Sequence, residues 1–373
     1  MQNQNTKPPY RADHVGSLLR PRELLRAREQ FAAGRMSSDA LREIEDRSIR
    51  RIVKMQEEIG LQGVTDGEFR RNSWHVDFFS QIGGVEMLPQ KVSVPFRNND
   101  GEIQASDNVL RLRGRLRLET TVFGNAFSFL KSTTAATAKL TIPSPSVIHR
   151  LCGVGARRDG EVYTDIDEFW SDLSKVYAQQ LERLGALGCS YLQLDETTFA
   201  ALCDPSARAA LSGLGVDGER IHETYIRVLN EALRGKPAGM TVCTHSCRGN
   251  HRSSWRFSGP YDFLAEAVFT KLDVDGFFLE YDDERSGGFE PLRFVPKGKK
   301  VVLGLVTTKR PELEDKSMLK RRVDAASKHL PLDQLCLSPQ CGFASSSEGN
   351  SLTEEEEFAK LRLVVETARE IWG

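Results

Sequence analysis

The chain has 373 residues, 39% of them hydrophobic and 28% charged, with a formal net charge of −1 and a pI near 6.7. That balance gives no electrostatic reason to expect nucleic acid or a membrane surface as partner. No apolar run approaches the ~20 residues of a membrane span, and the N-terminus MQNQNTKPPY lacks the apolar stretch of a signal peptide. The seven cysteines are odd in number and form no small disulfide framework, so a reducing, cytoplasmic setting with free thiols is expected.

In chain order, residues 1–10 read as a disordered leader. RADHVGSLLRP is a short apolar element with Gly16 and Ser17 near its end, and Pro21 sits at a plausible helix start. Helices are expected over about 21–33, stopped by Gly34, and about 38–59, stopped by Gly60. In the second, Leu41, Ile44, Ile49, Ile52, Val53 and Met55 recur at near-helical spacing behind Ser37 or Ser38 as N-cap. GVTDGEFRRN is a brief strand running into a polar loop with Asp66 and Glu68. Period-two alternation on either side of NNDG predicts antiparallel hairpins over about 81–140. The alternating Arg111, Arg113, Arg115 and Arg117 are read as the wet face of that ribbon rather than an anion site.

From residue 165 the pattern becomes regular. Helices over about 165–187, 219–234 and 261–272 precede the strands SYLQLDE, MTVCTHS and GFFLEYD. KVVLGLVTT follows, then a helix over about 317–329, the strand LCLSPQ and a closing helix over about 353–371. Strands alternating with helices imply right-handed crossovers and a parallel sheet. About eight strands without G-x-G-x-x-G favour an α/β fold of the (β/α)8 TIM-barrel type, with an inserted β-hairpin region near residues 81–140. Residues 11–373 are expected to form one domain.

Active sites of such barrels lie at the C-terminal rim of the strands. Ser17, Glu68, Asp195, His245, Cys247, Glu280 and Cys341 all fall there. His245 and Cys247 sit at the end of one strand, Glu280 at the end of another and Cys341 after a third. Imidazole, thiolate and carboxylate are ligands for Zn²⁺. Each residue has a plainer reading: a capped strand end, a core thiol, a solvated acidic run. Jointly, donors from three strands point to one reactive zinc ion per chain, because structural zinc sites usually show tight C-x₂-C pairs. Asp195 and Glu196 are neighbours on a strand and face opposite ways, so one of them faces the barrel mouth, where a carboxylate suits an ammonium group. Glu68 could do the same from the other wall.

HVGSLLRP, TDGEFRRN, LQLDE, THSCRGN, FFLEYDDE and SPQCGF resemble, in order, the motifs of the catalytic barrel of cobalamin-independent methionine synthase. The chain is most similar to the short, single-barrel members, from residue 11 onward. The resemblance implies that His245, Cys247, Glu280 and Cys341 hold zinc and that Ser17, Glu68 and Asp195 hold the amino-acid part of homocysteine. It implies a methyl donor such as 5-methyltetrahydrofolate, methionine as product, and allows a methyl-carrier protein as partner. There are two departures. LTIPSPSVIH carries no Trp where the long enzymes stack a pterin, and Lys309 stands about where they place a proton-transferring His; Lys309 is the candidate proton donor in that loop. Both departures leave the donor open. The alternatives are alkyl transfer to another thiol, as in epoxyalkane:coenzyme M transferases, a zinc hydrolase, and a structural or sensor zinc protein.

Overall fold

The computed structural model describes residues 7–153 and 162–373. Seven parallel strands form one curled sheet, each paired with the next: β1 (Gly63–Val64), β4 (Thr137–Pro143), β5 (Tyr191–Asp195), β6 (Thr241–Ser246), β7 (Gly276–Glu280), β8 (Lys300–Val306) and β9 (Leu335–Pro339). Helices alternate with the strands of the second half, as the sequence pattern requires. The open edge is closed by residues 11–18. Ala12 bridges Leu337 of β9, His14 Nε2 lies 3.2 Å from the Gly63 carbonyl, and Thr65 donates to the Gly16 carbonyl. The result is a TIM-barrel-like fold. Every residue of β5 and of β7 is buried, because helices cover a parallel sheet outside and side chains fill it inside.

Local signals set the helices. Ser37 caps Ser38–Ile59 by accepting from the Ala40 amide, and Gly60 ends that helix at φ 99°, a left-handed conformation that glycine adopts without strain. In Ile166–Ala186 the buried stripe Phe169, Leu173, Tyr177, Leu181 and Leu184 recurs every three to four residues and packs on the barrel. Thr353 and Glu356 form a reciprocal capping box at the start of Glu354–Trp372. None of the helices among the described residues is long and apolar enough to cross a membrane.

The inserted region is shorter than expected. It is one hairpin, β2 (Gly83–Asn98) and β3 (Gly101–Arg117), joined through Asn99 and Asp100. Residues 118–136 then contain the helix Gly124–Thr133, whose sequence GNAFSFLKST carries too short an apolar pattern to announce itself. Arg111 and Arg113 pair with Glu86, Arg115 with Glu168 and Asp172, and Arg117 with Glu119. The four arginines are ion-paired at the surface, as read.

The last residues of the expected 1–10 leader are packed against the barrel. Residues 1–6 lie outside those described, whereas Pro9 and Tyr10 are buried. Tyr10 joins a cluster with Val15, Tyr191, Cys243, Phe278, Val302 and Cys336, and its hydroxyl meets Thr137 Oγ1 at 2.6 Å. Burying this ring outweighs the entropy of ordering the chain before it.

Candidate metal centre and substrate cavity

β6 delivers His245 one residue before its end, and Cys247 follows directly after it. Cys341 lies two residues beyond β9. One donor atom from each of these buried residues falls within 4.8 Å of the other two. The sulfurs of Cys247 and Cys341 are 3.3 Å apart. The hydrogen bond to Cys341, reinforced by burial, pushes the Cys247 thiol well above its usual range. Burial pulls the His245 imidazole down, but the adjacent Cys247 sulfur and the Asp195 and Glu280 carboxylates outweigh it and raise it. Neither His245 nitrogen has a hydrogen-bond partner of good geometry. A buried imidazole without partners beside two thiols is costly unless something binds there, and this nitrogen–sulfur donor set fits a zinc ion.

Two glycines let the loops close on this point. A side chain at Gly342 would place its Cβ 1.9 Å from Ser17 Oγ. Gly249 has φ 94°, and a Cβ there would lie 2.8 Å from Arg256 Cβ. At Gly249 only hydrogen fits, and at Gly342 a side chain would force Ser17 to move.

Glu280 does not join the three-residue group. It is fully buried, and its Oε2 accepts from the Arg248 amide at 2.9 Å. Its Oε1 faces Lys309 Nζ at 3.4 Å and Arg285 Nη2 at 3.5 Å. Lys309 is therefore not an exposed loop residue. It is buried beneath the rim, also 3.5 Å from Asp282, and lies outside the cavity lining. Burial pulls its ammonium down, yet Asp282 and Glu280 together raise it above the ordinary lysine value. A cation stabilised in this way is a poor proton donor at neutral pH, so the role expected of Lys309 finds no support here.

A cavity of about 330 Å³ opens above the three donors. Ser17, Glu68 and Asp195 line it, as expected. Glu68 takes a positive φ of 62°, a conformation that costs a non-glycine residue energy and recurs at functional sites. Its Oε1 accepts from Thr141 at 2.7 Å, while Oε2 has no hydrogen-bond partner and lies 3.7 Å from Arg71. Burial pushes the Asp195 carboxyl up to about 7, and Glu68 adds to the rise, against His245, Gln193 and Arg71. Two close carboxylates, one with an open oxygen, make a seat for an ammonium group. Glu196 faces away: its Oε1 caps the helix Thr197–Leu202 and its Oε2 takes the Ser144 and Ser146 hydroxyls.

The rest of the cavity was not evident from the sequence. The hairpin folds over the barrel mouth, tied by paired hydrogen bonds between Arg97 and Trp255, and contributes Phe96 and Asp107 to the lining. Trp74, His75, Arg150, Arg256 and Phe257 also face it. The stretch RRNSWHV held a signal, since Trp and His follow a strand-end loop, but nothing local showed which way those side chains point.

Residues 12–370 match the family described as the catalytic domain of cobalamin-independent synthase. The chain belongs to this family. It is 44% identical to the uncharacterised Bacillus subtilis (strain 168) protein YxjG over 99% of this chain and 96% of that one. A crystal structure from Listeria monocytogenes, described as a candidate vitamin-B12 independent methionine synthase, superposes with a TM-score of 0.77 at 36% identity, covering 99% of this chain and 100% of the other. Methionine synthase from Pyrococcus abyssi (strain GE5 / Orsay) is 24% identical over 88% of this chain and 84% of its own length. Membership in the cobalamin-independent synthase family makes the chain a methionine synthase-like methyltransferase.

Proposed function

We propose that the protein transfers a methyl group, from a donor such as 5-methyltetrahydrofolate, to the thiol of homocysteine, giving methionine and tetrahydrofolate. The proton lost by the thiol is balanced by the one taken up at the departing N5. The observation that carries this reading is the placement of His245, Cys247 and Cys341 in the cavity that Ser17, Glu68 and Asp195 also line. Held by these three residues, zinc would supply a thiolate at neutral pH from a thiol whose free pKa is near 8.5. Glu280 would serve as the oxygen donor only on leaving the Arg248 amide, and Lys309 and Arg285 would otherwise hold its carboxylate. Glu68 Oε2 and Asp195 take the ammonium end, and Ser17 takes the carboxylate end. The hairpin roof excludes water and orients the donor against the thiol.

Transfer to another thiol, as in epoxyalkane:coenzyme M transferases, would keep the metal group but leave the two floor carboxylates without an ammonium to bind. Two thiolates also speak against a zinc hydrolase, whose sites are mostly imidazole and carboxylate. The proposal allows a methyl-carrier protein as partner and places the enzyme in the cytoplasm. The test is metal analysis of the purified protein with a transfer assay offering homocysteine or coenzyme M. About one zinc per chain and methionine formation are expected. Full activity of metal-free protein, or preference for coenzyme M, defeats the reading.

A further inference from the structure

The charged residues of the cavity divide into two sets. Glu68 and Asp195 lie with the metal-binding residues. Arg150 and Arg256 lie toward the hairpin, where Asp107 is the carboxylate that acts on both. The carboxylates on that side are already engaged: Asp107 lies 3.4 Å from His75 Nε2, and Glu348 lies 3.2 Å from His251 Nε2. Among the described residues neither arginine has a carboxylate within 4.0 Å, and Arg150 Nε is buried without a hydrogen-bond partner. Burial and the Arg150 charge pull Arg256 down to about 10, with Asp107 only partly opposing them. Burial lowers Arg150 as well, with Asp107, Tyr225 and Glu196 only partly opposing it. Two guanidinium groups that repel each other in a half-enclosed space are unfavourable without a countercharge. Their planar, forked donors match an oxyanion.

We infer that Arg150 and Arg256 form an anion subsite on the hairpin side of the cavity, which holds a carboxylate or sulfonate carried by a substrate. The choice of substrates rests on the methyl-transfer reading; the site itself rests on the distribution of charge. A folate donor would place a carboxylate of its glutamate tail there, and the floor would stay free for the amino group of the thiol substrate. A coenzyme M-type thiol would place its sulfonate there instead. Cationic methyl donors, such as simple sulfonium or quaternary ammonium compounds, are disfavoured by the same charges.

The test measures binding to the zinc-loaded protein by calorimetry, for wild type, Arg150→Gln and Arg256→Gln. The probes are 5-methyltetrahydrofolate, the same folate with both glutamate carboxylates converted to amides, coenzyme M and homocysteine. Arg256 is partly exposed, so its variant keeps the test open if Arg150→Gln folds poorly. Each substitution is expected to weaken the acid folate by about tenfold or more, the loss of one charge-assisted contact, and to leave the amide form and homocysteine unchanged. Weakening confined to coenzyme M supports the subsite and assigns its anion to the thiol's sulfonate. Equal weakening of acid and amide folates, no weakening of either anion, or no binding of either anion by wild type overturns the inference. If wild type fails to methylate homocysteine while anion binding still depends on the arginines, the function falls and the subsite stands.

Discussion

The barrel holds two clusters of buried polar groups, one at each end, and they are built on opposite terms. At the N-terminal end, Asp13 is saturated. Its Oδ1 accepts from the His14 amide at 2.8 Å and from Lys139 Nζ at 3.1 Å; its Oδ2 accepts from the Tyr10 amide at 3.1 Å and the Tyr191 hydroxyl at 2.8 Å. Lys139 also lies 4.1 Å from the centre of the Phe278 ring. At the C-terminal end, one oxygen of Glu68 and Arg150 Nε are buried without hydrogen-bond partners, and His245 meets only the Cys247 sulfur. A saturated carboxylate such as Asp13 contributes to folding, although His14 Nδ1 beside it is also buried without a partner. The unpartnered groups of the open end are unfavourable until a ligand completes them. The contrast lies in the carboxylates: Asp13 accepts four hydrogen bonds, while Glu68 keeps one oxygen without a partner.

That contrast can be broken at either end. The largest effect is expected at the metal group: Cys247→Ser or Cys341→Ser should lose most of the bound zinc and with it the methyl transfer, measured by metal analysis and product formation. Full zinc occupancy in both variants would remove these residues from the ligand set. Lys139→Met attacks the closed cluster. It leaves Asp13 as an uncompensated buried charge, so unfolding in denaturant should show a loss of about 3–5 kcal/mol. A loss below about 1 kcal/mol would mean that the network is not the structural anchor described.

Asp195→Asn sharpens the comparison, because it alters the open end without touching the closed one. Homocysteine binding should weaken by about 1.5–3 kcal/mol while zinc content and stability hold. Loss of zinc with normal homocysteine binding would make Asp195 a metal ligand instead.

The smallest effect concerns Glu357, a carboxyl buried in the C-terminal helix outside both clusters. Its Oε1 accepts from the Leu19 amide at 2.9 Å, Oε2 has no partner, and burial pushes its pKa well above the usual range. A group raised in the folded state is neutral below its unfolded pKa, where the stability tied to it is fully present. That stability is lost as pH rises toward the folded value. Glu357→Gln keeps the accepting oxygen and removes the titration, so melting at pH 8 should rise by about 1 °C per kcal/mol recovered, with little change near pH 4. An equal shift at both pH values would assign the effect to packing rather than charge.

The elements of the second half were legible because their information is local. The stripe of Ile166–Ala186, the Ser37 cap and the apolar runs of β5 and β7 each lie within one turn or one strand of themselves. The (β/α)8 order then placed His245, Cys247 and Cys341 at one rim without any knowledge of distance. Short elements failed for the same reason: Gly124–Thr133 spans too few turns to show a period.

What tertiary structure alone decided was direction and pairing. Alternation showed that residues 83–117 form a ribbon, but a ribbon's face depends on what it is folded against, and only the Arg97–Trp255 contact put Phe96 and Asp107 over the cavity. Glu280 and Lys309 show the same limit. Their residue types and strand-end positions were read from the sequence, yet which partner each one meets depends on residues 27 to 32 positions away, brought close by the barrel. Residue type and spacing determine what chemistry a side chain can do; its partners and protonation depend on the distance and dielectric that the closed sheet imposes.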